Sequence, residues 1–240
     1  MKTIDVCLTP ELLSQHELAN QTVVVVDILR ATSSMVTAFA HGAKQIVPVA
    51  HPEECRAWRT RGYLIAGERD GRKINNFDLG NSPLEYAPER VRGQLLAMTT
   101  TNGTRTIEEA KGARQLIIGA FLNLNAVTDF LRAQASAVVI ACAGWKGHVN
   151  LEDTLFAGAV VSALSSDFGV GSDAALVAST IYRSAQSDLA GFLAQSSHVR
   201  RLQQLGCQDD IAYCLRTDLC PVVPMLQGHC LVANDLSTTR

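Results

Sequence analysis

Three strand-like segments of this chain run directly into polar side chains of the types that bind phosphate groups or metal ions. They are VVVVDILRATSSM at 23–35, TTTNGTR at 99–105 and CAGWKGHVNLEDT at 142–154. In open α/β sheets, ligands bind beyond the carboxyl ends of strands, where loops turn into helices. We therefore expect a ligand site at these segments if the fold brings them together.

Arginine and hydroxyl side chains in these segments predict an anion site. Arg30 follows a strongly apolar strand, and the hydroxyls of Thr32 and Ser33 come directly after it. Its planar guanidinium fork would lie beside the free N–H groups of a helix start. Arg105, after Asn102-Gly103-Thr104, repeats that arrangement. Two such arginines indicate an anionic ligand with more than one charged group.

Acidic side chains near the same strand ends change this interpretation. They are Asp27, Glu68, Asp78, Glu152 and Asp153. Carboxylates beside a bound anion repel it unless something offsets their charge. A Mg²⁺ ion would do so, because it prefers oxygen ligands and shares them with substrate phosphates. Alternatively, one acid acts as a nucleophile or as a general acid or base. The combination predicts phosphoryl chemistry with a metal ion.

Each of these segments also has a purely structural interpretation. Thr32 or Ser33 can cap the helix that follows, which is worth about 1 kcal/mol. Thr106 and Glu109 have the spacing of a capping box. Asn150 can likewise cap a helix whose first turn contains acidic residues, which the helix dipole favours. From the sequence alone, both interpretations stay open at every one of these sites.

Composition excludes several classes of function. The chain has 240 residues, of which 47% are hydrophobic and 18% charged, and its formal net charge is −2. A length of this order suits one globular domain, so we predict a single domain over 1–240. A nucleic-acid-binding surface would be strongly basic and clustered, so we expect no nucleic-acid partner. The apolar runs are far shorter than the about 20 residues that cross a membrane.

The N-terminus and the cysteines favour the cytoplasm. The segment MKTIDVCLTPELL has no uninterrupted apolar region of the kind found in signal peptides. The seven cysteines are odd in number and form no Cys-x-x-Cys pair. A zinc site is an alternative to buried thiols near the C-terminus, although the spacings fit no standard pattern. Its ligands would come from Cys207, Cys214, Cys220, His229 and Cys230.

Apolar runs rich in valine and isoleucine alternate with helix-like segments. The predicted strands are 3–8, 22–28, 45–49, 63–66, 94–99, 115–118, 136–141 and 221–226. The predicted helices are 33–42, 52–61, 105–111, 123–134, 151–165, 172–187, 189–205 and 208–216. This alternation predicts an α/β fold, with a mainly parallel or mixed sheet and helices on both faces. The polar segment 67–93 is too long for an ordinary connection, and 166–220 is helix-rich.

The order and spacing of several motifs resemble the 2-phosphosulfolactate phosphatase family. The motifs are DILRATSS, GERDGRKINNFDLGNSP, TTTNGTR and CAGWKGHVNLEDTLFAG. The resemblance extends from the TPELL segment to the last helices. It implies a three-layer α/β/α fold, a homodimer, and a Mg²⁺-dependent phosphatase. The family converts (R)-2-phospho-3-sulfolactate, a small anionic phosphomonoester, to 3-sulfolactate and phosphate, a step on one route to coenzyme M.

The resemblance supplies site candidates by motif position, and we infer their individual roles. The catalytic candidates are Asp27, Arg30, Glu68, Arg105 and Glu152. The substrate-binding candidates are Arg30, Thr32, Ser33, Asn81, Ser82, Thr101, Asn102, Gly103 and Arg105. The metal-binding candidates are Asp27, Glu68, Asp78 and Asp153. A phosphate, a carboxylate and a sulfonate on one substrate would need several cationic and N–H donors, in agreement with the residues themselves.

Some positions depart from the family pattern. Asn76 replaces a glycine before the Phe-Asp pair, and His148 and Val149 stand where small or aromatic residues are more usual. These changes leave open which group the substrate carries at the end remote from phosphorus, so another 2-phospho-hydroxyacid is an alternative substrate. A second class of function is a non-catalytic sensor of a small phospho- or sulfo-acid. A pure anion sensor has no use for four acids, Asp27, Glu68, Asp78 and Glu152, beside its ligand, which favours the enzyme.

Overall fold

Eleven strands lie in the part of the chain that the computed structural model describes, residues 2–234. In chain order they are β1 (Thr3–Cys7), β2 (Gln21–Val26), β3 (Gln45–Pro48), β4 (Leu64–Arg69), β5 (Arg72–Lys73), β6 (Leu95–Thr99), β7 (Gln115–Gly119), β8 (Ala137–Cys142), β9 (Gly169–Val170), β10 (Val223–Gln227) and β11 (Cys230–Asn234). β2, which contains the run of four valines, is buried on both faces over Thr22–Val26. Such a strand needs no polar alternation.

Helices flank the sheet. They are α1 (Ala31–Ala40), α2 (Pro52–Arg59), α3 (Pro88–Val91), α4 (Gly103–Glu109), α5 (Leu124–Arg132), α6 (Leu151–Ala163), α7 (Asp173–Ala185), α8 (Leu189–Leu193), α9 (Ser197–Gln204) and α10 (Gln208–Cys214). α1 packs on β7 and β10, while α6 packs on β2, β8 and the long helix α7. The predicted three-layer α/β/α architecture is confirmed. Across residues 2–234, no helix is both long and apolar enough to cross a membrane.

The sheet consists of two parallel groups that an antiparallel hairpin joins. Its strand order is β5-β4-β6-β3-β11-β10-β7-β2-β8-β1-β9. β4, β6 and β3 form one parallel group, and β7, β2, β8, β1 and β9 form the other. The hairpin β10–β11 lies between them and pairs antiparallel with β7 and β3. Three antiparallel pairings in succession make the two groups run in opposite directions.

Strong curvature of the sheet brings the two groups together. Four strands separate β2 from β6, so a flat sheet would hold them roughly 24 Å apart at a spacing of about 4.8 Å. Nevertheless, a Cβ atom built on Gly103, after β6, would lie 2.8 Å from Asp27 Oδ2, after β2. Twist of roughly 20–25° between neighbouring strands accumulates over these steps. The carboxyl ends of the two groups therefore meet across the bend.

Several predicted elements differ from the observed ones. The helix predicted at 189–205 is wrong: α8 and α9 are separate, because the Ser196 hydroxyl caps α9 by accepting a hydrogen bond from the Val199 N–H. The strand predicted at 221–226 is β10, and its partner β11 was not predicted. Gly228, with φ of 62°, forms the turn between them. The short strands β5 and β9 were also missed.

The cysteines do not form a metal centre with their neighbours. All seven are free thiols, and burial raises the pKa of Cys214 to about 12. Within residues 2–234, no group of three or more His, Cys, Asp or Glu side chains is placed to hold a metal ion. The structure thus favours free thiols over the zinc alternative: Cys214 and Cys220 are buried, and Cys207 and Cys230 are partly buried.

Candidate active site

One cavity gathers side chains from both parallel groups. Its lining comprises Asp27, Leu29, Arg30, Glu68, Asp70, Gly71, Asn81, Thr101, Asn102, Trp145, Lys146, His198, Arg201 and Leu202. These residues follow β2, β4, β6 and β8 or belong to the 67–93 segment and α9. All four sequence motifs therefore contribute directly, together with a helix that no motif contains. The cavity volume is about 30 Å³, which holds roughly two waters.

Asp27 is a buried acid on the floor of this cavity. The Thr32 hydroxyl accepts a hydrogen bond from the Asp27 N–H at 3.0 Å, and the Asp27 carbonyl accepts one from the Thr32 N–H. Burial, with Glu68 and Glu152 nearby, raises the pKa of Asp27 to about 6, although His198 opposes the rise. Gly103 leaves room for this carboxylate, since any Cβ there would collide with Asp27 and Ala31.

Glu68 is the second acid on the floor, and a tight turn orients it. Asp70 and Gly71 both have positive φ, 54° and 80°, and they connect β4 to β5 as a two-residue hairpin turn. Glu68 Oε2 accepts a hydrogen bond from the Gly71 N–H, and Oε1 accepts one from the Thr101 N–H, both at 2.7 Å. Glu68 thereby connects the ends of β4 and β6.

Unpartnered oxygen atoms surround the two acids. Asn81 Oδ1, Thr101 Oγ1 and Glu152 Oε2 are buried and have no hydrogen-bond partner among residues 2–234. Buried polar atoms normally find partners, so such orphans indicate a missing ligand, ion or water. Mg²⁺ is usually bound through one or two carboxylates, waters and substrate phosphates. Asp27 and Glu68 fit that requirement, which is less demanding than the three-residue cluster that the described residues lack.

A buried pair of Glu152 and His198 forms one wall. His198 Nδ1 lies 2.5 Å from Glu152 Oε1. Because a carboxylate can only accept, Nδ1 is the donor, and Nε2 remains available to a ligand. The Trp145 indole stacks on the imidazole, with ring centroids 5.2 Å apart. Sequence analysis named Glu152 but missed His198, which lies in a helix-rich stretch without a recognisable motif.

Arg30 lines the cavity, but other protein groups hold its guanidinium. Its Nη1 pairs with Asp210, and Nη2 donates to the Gly71 carbonyl at 2.9 Å. Burial alone would lower the pKa of Arg30, but the hydrogen bond and charge of Asp210, together with the nearby Cys207 and Cys214, outweigh burial and raise that pKa. Asp210 also accepts from the Ser82 hydroxyl at 2.6 Å. Arg30 and Ser82 thus fasten α10 beside the cavity, a contribution of Asp210 that the sequence did not reveal.

Asp153 lies behind the cavity wall rather than in its lining. Its Oδ1 accepts from the Ile28 N–H at 2.8 Å, and Oδ2 accepts from the Gly144 N–H and Asn150 Nδ2. Burial and the neighbouring acids Asp27 and Glu152 raise its pKa well above the usual value. Asn150 Oδ1 caps α6 by accepting from the Asp153 N–H, so the structural interpretation of Asn150 is confirmed. Asp153 connects the loop after β2 to the loop after β8 and lies outside the cavity lining, so the structure does not support the expectation that it binds the metal ion.

Two other candidates lie away from the cavity. Arg59 and the Ile65 N–H bind Asp78, and these contacts lower its pKa although partial burial opposes them. Arg105 is half exposed and pairs with Glu11 and Glu109. It stands two residues after Gly103 on α4, and two helical residues span about 200°, so it faces away from Asp27. These positions correct the expectation that Asp78 and Arg105 join the other candidates.

The hydroxyls after β2 support the backbone. Thr32 and Ser33 lie inside α1, so the expectation that either one caps this helix is wrong. The Ser33 hydroxyl donates to the Ile28 carbonyl at 2.9 Å. The predicted capping box at Thr106 is also wrong, because α4 already begins at Gly103. Of the uncharged substrate-binding candidates with a polar side chain, Asn81, Thr101 and Asn102 line the cavity.

The fold and the site define an α/β protein with a ligand cavity where the carboxyl ends of two parallel strand groups meet. Buried acids form the floor of the cavity, and basic side chains stand at its mouth. The family model described as 2-phosphosulpholactate phosphatase matches residues 7–229. The match covers nearly all of the described chain and every motif on which the resemblance was based.

Curated relatives agree with this match. A probable 2-phosphosulfolactate phosphatase from Thermotoga petrophila is 42% identical over 216 residues, which cover 90% of this chain and 93% of the relative. Another, from Caldanaerobacter subterraneus subsp. tengcongensis, is 39% identical over 221 residues, covering 90% and 92%. A third, from a Synechococcus species, is 43% identical over 209 residues, covering 84% and 86%. The chain belongs to the 2-phosphosulpholactate phosphatase family.

Proposed function

We propose that this protein is a Mg²⁺-dependent phosphatase that hydrolyses (R)-2-phospho-3-sulfolactate, or a related 2-phospho-hydroxyacid, to the 2-hydroxyacid and phosphate. The observation that carries the proposal is the pair of buried acids, Asp27 and Glu68, in a cavity that also contains unpartnered oxygen atoms. A site for an anion alone would be destabilised by these acids. The family and the names of its curated relatives support the phosphomonoester substrate.

Asp27 and Glu68 are the residues proposed to hold Mg²⁺. When bound, the ion would offset charge on the phosphoryl group and acidify a water molecule. Glu68 is already oriented by two backbone N–H groups, whereas the Asp27 side chain accepts only a long hydrogen bond, 3.4 Å, from the Ala31 N–H. In the described part of the chain the Thr101 hydroxyl has no hydrogen-bond partner, so it can donate to a phosphate oxygen.

His198 is the residue proposed to protonate the leaving oxygen. Water attacks phosphorus, the bond between phosphorus and the substrate C2 oxygen breaks, and this oxygen takes the proton from His198 Nε2. The proton that the attacking water loses then returns to His198. Glu152 accepts the hydrogen bond from Nδ1–H and so fixes the orientation of the imidazole before the transfer. The Trp145 indole stacks on one face of the His198 imidazole and fixes the plane of that ring. Phosphate-monoester hydrolysis is among the slowest uncatalysed reactions, so the Mg²⁺ ion and the proton donor His198 would both be needed.

Phosphate release from 2-phosphosulfolactate and 2-phospholactate, with Mg²⁺ and with EDTA, tests the proposal. We expect Mg²⁺-dependent release that is faster on the sulfonated compound. Asp27→Asn should lower kcat by orders of magnitude, while Asp129→Asn, which changes an exposed acid paired with Arg132, should have no effect. Release from neither compound by folded protein, with ligand-induced thermal stabilisation, would instead favour the non-catalytic sensor.

We further propose that the protein acts in the cytoplasm as a homodimer, and that its product enters a route to coenzyme M. Apolar side chains are exposed on the edge strand β9 and on the helix that follows it, α7. The exposed fraction is 45% for Val170 in β9, and 49% for both Leu176 and Val177 in α7. Exposed apolar side chains at a sheet edge support a contact between subunits. Sedimentation equilibrium would test the dimer: a mass near 25.8 kDa, that of one chain, would contradict it.

A further inference from the structure

Three charged side chains from three different elements meet at the mouth of the cavity. Asp70 belongs to the β4–β5 turn, Lys146 to the loop after β8, and Arg201 to α9. Lys146 Nζ lies 3.3 Å from Asp70 Oδ1, and Arg201 Nη2 lies 3.6 Å from the same oxygen. All three line the same cavity as Asp27 and Glu68. One carboxylate oxygen is therefore shared between two cations.

The two cations are positioned rather than free in solvent. The Lys146 Nζ atom and the Arg201 guanidinium carbon each lie 5.8 Å from the Trp145 ring centroid. Arg201 Nη2 also donates to the Asp70 carbonyl at 3.0 Å. Trp145 in turn stacks on His198. Cations over an indole face are attracted by its quadrupole, so the aromatic ring holds both of them next to the proposed reaction centre.

The charges at the mouth do not balance. Asp70 offers one negative charge to two positive ones, whereas the deeper cation of the cavity, Arg30, has its own partner in Asp210. The mouth therefore carries an excess positive charge while the floor carries acids. A ligand that matches this pattern has its metal-binding anion at the floor and a second anion at the mouth.

The closed state of the cavity points to the same arrangement. A volume of about 30 Å³ is far too small for a phosphorylated hydroxyacid, since a single water needs about 10–15 Å³ on this measure. Some lining group must move before a substrate enters. Asp70 is the most exposed of the three mouth residues, with 67% of its side chain exposed against 52% for Lys146 and 35% for Arg201. Its contacts to both cations are the ones that an incoming anion can replace.

We propose that Lys146 and Arg201 bind the anionic group of the substrate that is remote from phosphorus, the sulfonate, and that the Asp70 carboxylate occupies this subsite in the ligand-free protein. The inference rests on the proposed function. In the substrate, the carboxylate carbon is bonded to the carbon bearing the phosphate ester, whereas the sulfonate lies one carbon further out. The sulfonate is therefore the group that reaches from the floor to the mouth. Specificity for a sulfonated substrate resides in these two cations.

Steady-state kinetics of mouth variants on two substrates test the inference. Lys146→Gln and Arg201→Gln should each raise KM for 2-phosphosulfolactate roughly tenfold, the loss expected for one charge-assisted hydrogen bond. The loss should fall on KM more than on kcat, and KM for 2-phospholactate should change much less, because that compound has no sulfonate. Asp70→Asn should lower KM for the sulfonated substrate about threefold, because it removes a competing exposed charge. Asparagine tolerates the positive φ of this turn position, so the turn should persist.

Arg200→Gln is the matched control, because Arg200 is exposed on the same helix and lies outside the cavity lining. Equal increases in KM on both substrates would overturn the sulfonate assignment and place the carboxylate at the mouth. Unchanged KM values in an active protein would overturn the inference and leave the proposed function intact.

Binding provides a readout that needs no turnover. 3-Sulfolactate should raise the melting temperature of the wild type more than lactate does, and the Lys146 and Arg201 variants should lose this difference. If the wild type does not distinguish the two acids, the inference is wrong whether or not phosphate is released.

Discussion

Asp27→Asn should make the metal-free protein more stable at neutral pH, although it removes the central residue of the site. The pKa of Asp27 rises from 3.8 to about 6, mainly because of burial. At 1.36 kcal/mol per pKa unit, the ionised carboxylate costs the folded state about 3 kcal/mol. Asparagine keeps an oxygen for the Ala31 N–H and carries no charge, so it escapes this cost.

The sign and the pH window follow from linkage. A carboxyl group whose pKa is higher in the folded state binds its proton more tightly there, so its contribution falls as pH rises from about 3.8 to about 6. We expect Asp27→Asn and wild type to be equally stable near the lower value. Above pH 6 the variant should gain about 3 kcal/mol, which corresponds to roughly 6–12 °C in Tm for a chain of this length.

Thermal and urea denaturation in EDTA, at several pH values, measure this difference. Asp78→Asn is the matched control because its pKa is lowered in the folded state. That variant should lose stability at neutral pH and recover relative to wild type as the pH falls. Mg²⁺ should stabilise wild type and leave Asp27→Asn unaffected. If Asp27→Asn proves less stable than wild type at pH 7.5 in EDTA, Asp27 is not the electrostatically strained group described here.

Three further substitutions test the architecture around the site. Asp210→Ala should lower the free energy of unfolding by about 3 kcal/mol, measured in urea, because buried Arg30 loses its salt-bridge partner. An unchanged urea midpoint would show that the Arg30–Asp210 pair does not fasten α10. Gly103→Ala should cut kcat about 100-fold with the fold intact by circular dichroism, since its Cβ would lie 2.6 Å from that of Ala31; normal turnover would refute the close approach. Arg105→Gln should leave KM within about twofold; a large increase would return Arg105 to the site.

The alternation of apolar runs and helices was enough to predict the fold class. Runs such as the valines of β2 are unambiguous because a strand buried on both faces needs no polar residues. The end of the chain was harder to predict. β11 has a mixed burial pattern and its turn glycine, Gly228, stands alone. Missing this strand also concealed the hairpin that reverses one parallel group against the other.

That reversal explains which site residues could be predicted. A rule about the carboxyl ends of strands led to Asp27, Glu68 and Thr101, because these residues lie at or just beyond the ends of β2, β4 and β6. The structure places all three in one cavity. It could not show that β2 and β6 run in opposite directions and meet only through curvature. Lys146 and Arg201 meet Asp70 only through long-range contacts, and a single sequence carries no periodic or spacing signal for such contacts.

The two floor acids differ in a way that bears on their roles. Both oxygens of Glu68 accept short hydrogen bonds from backbone N–H groups, which compensate its charge. Asp27 has only the long contact to the Ala31 N–H, and Glu68 and Glu152 both raise its pKa. A cation on the floor would therefore gain more from Asp27 than from Glu68. The backbone has fixed Glu68 in position, whereas Asp27 is the acid whose negative charge the protein leaves for a ligand to neutralise.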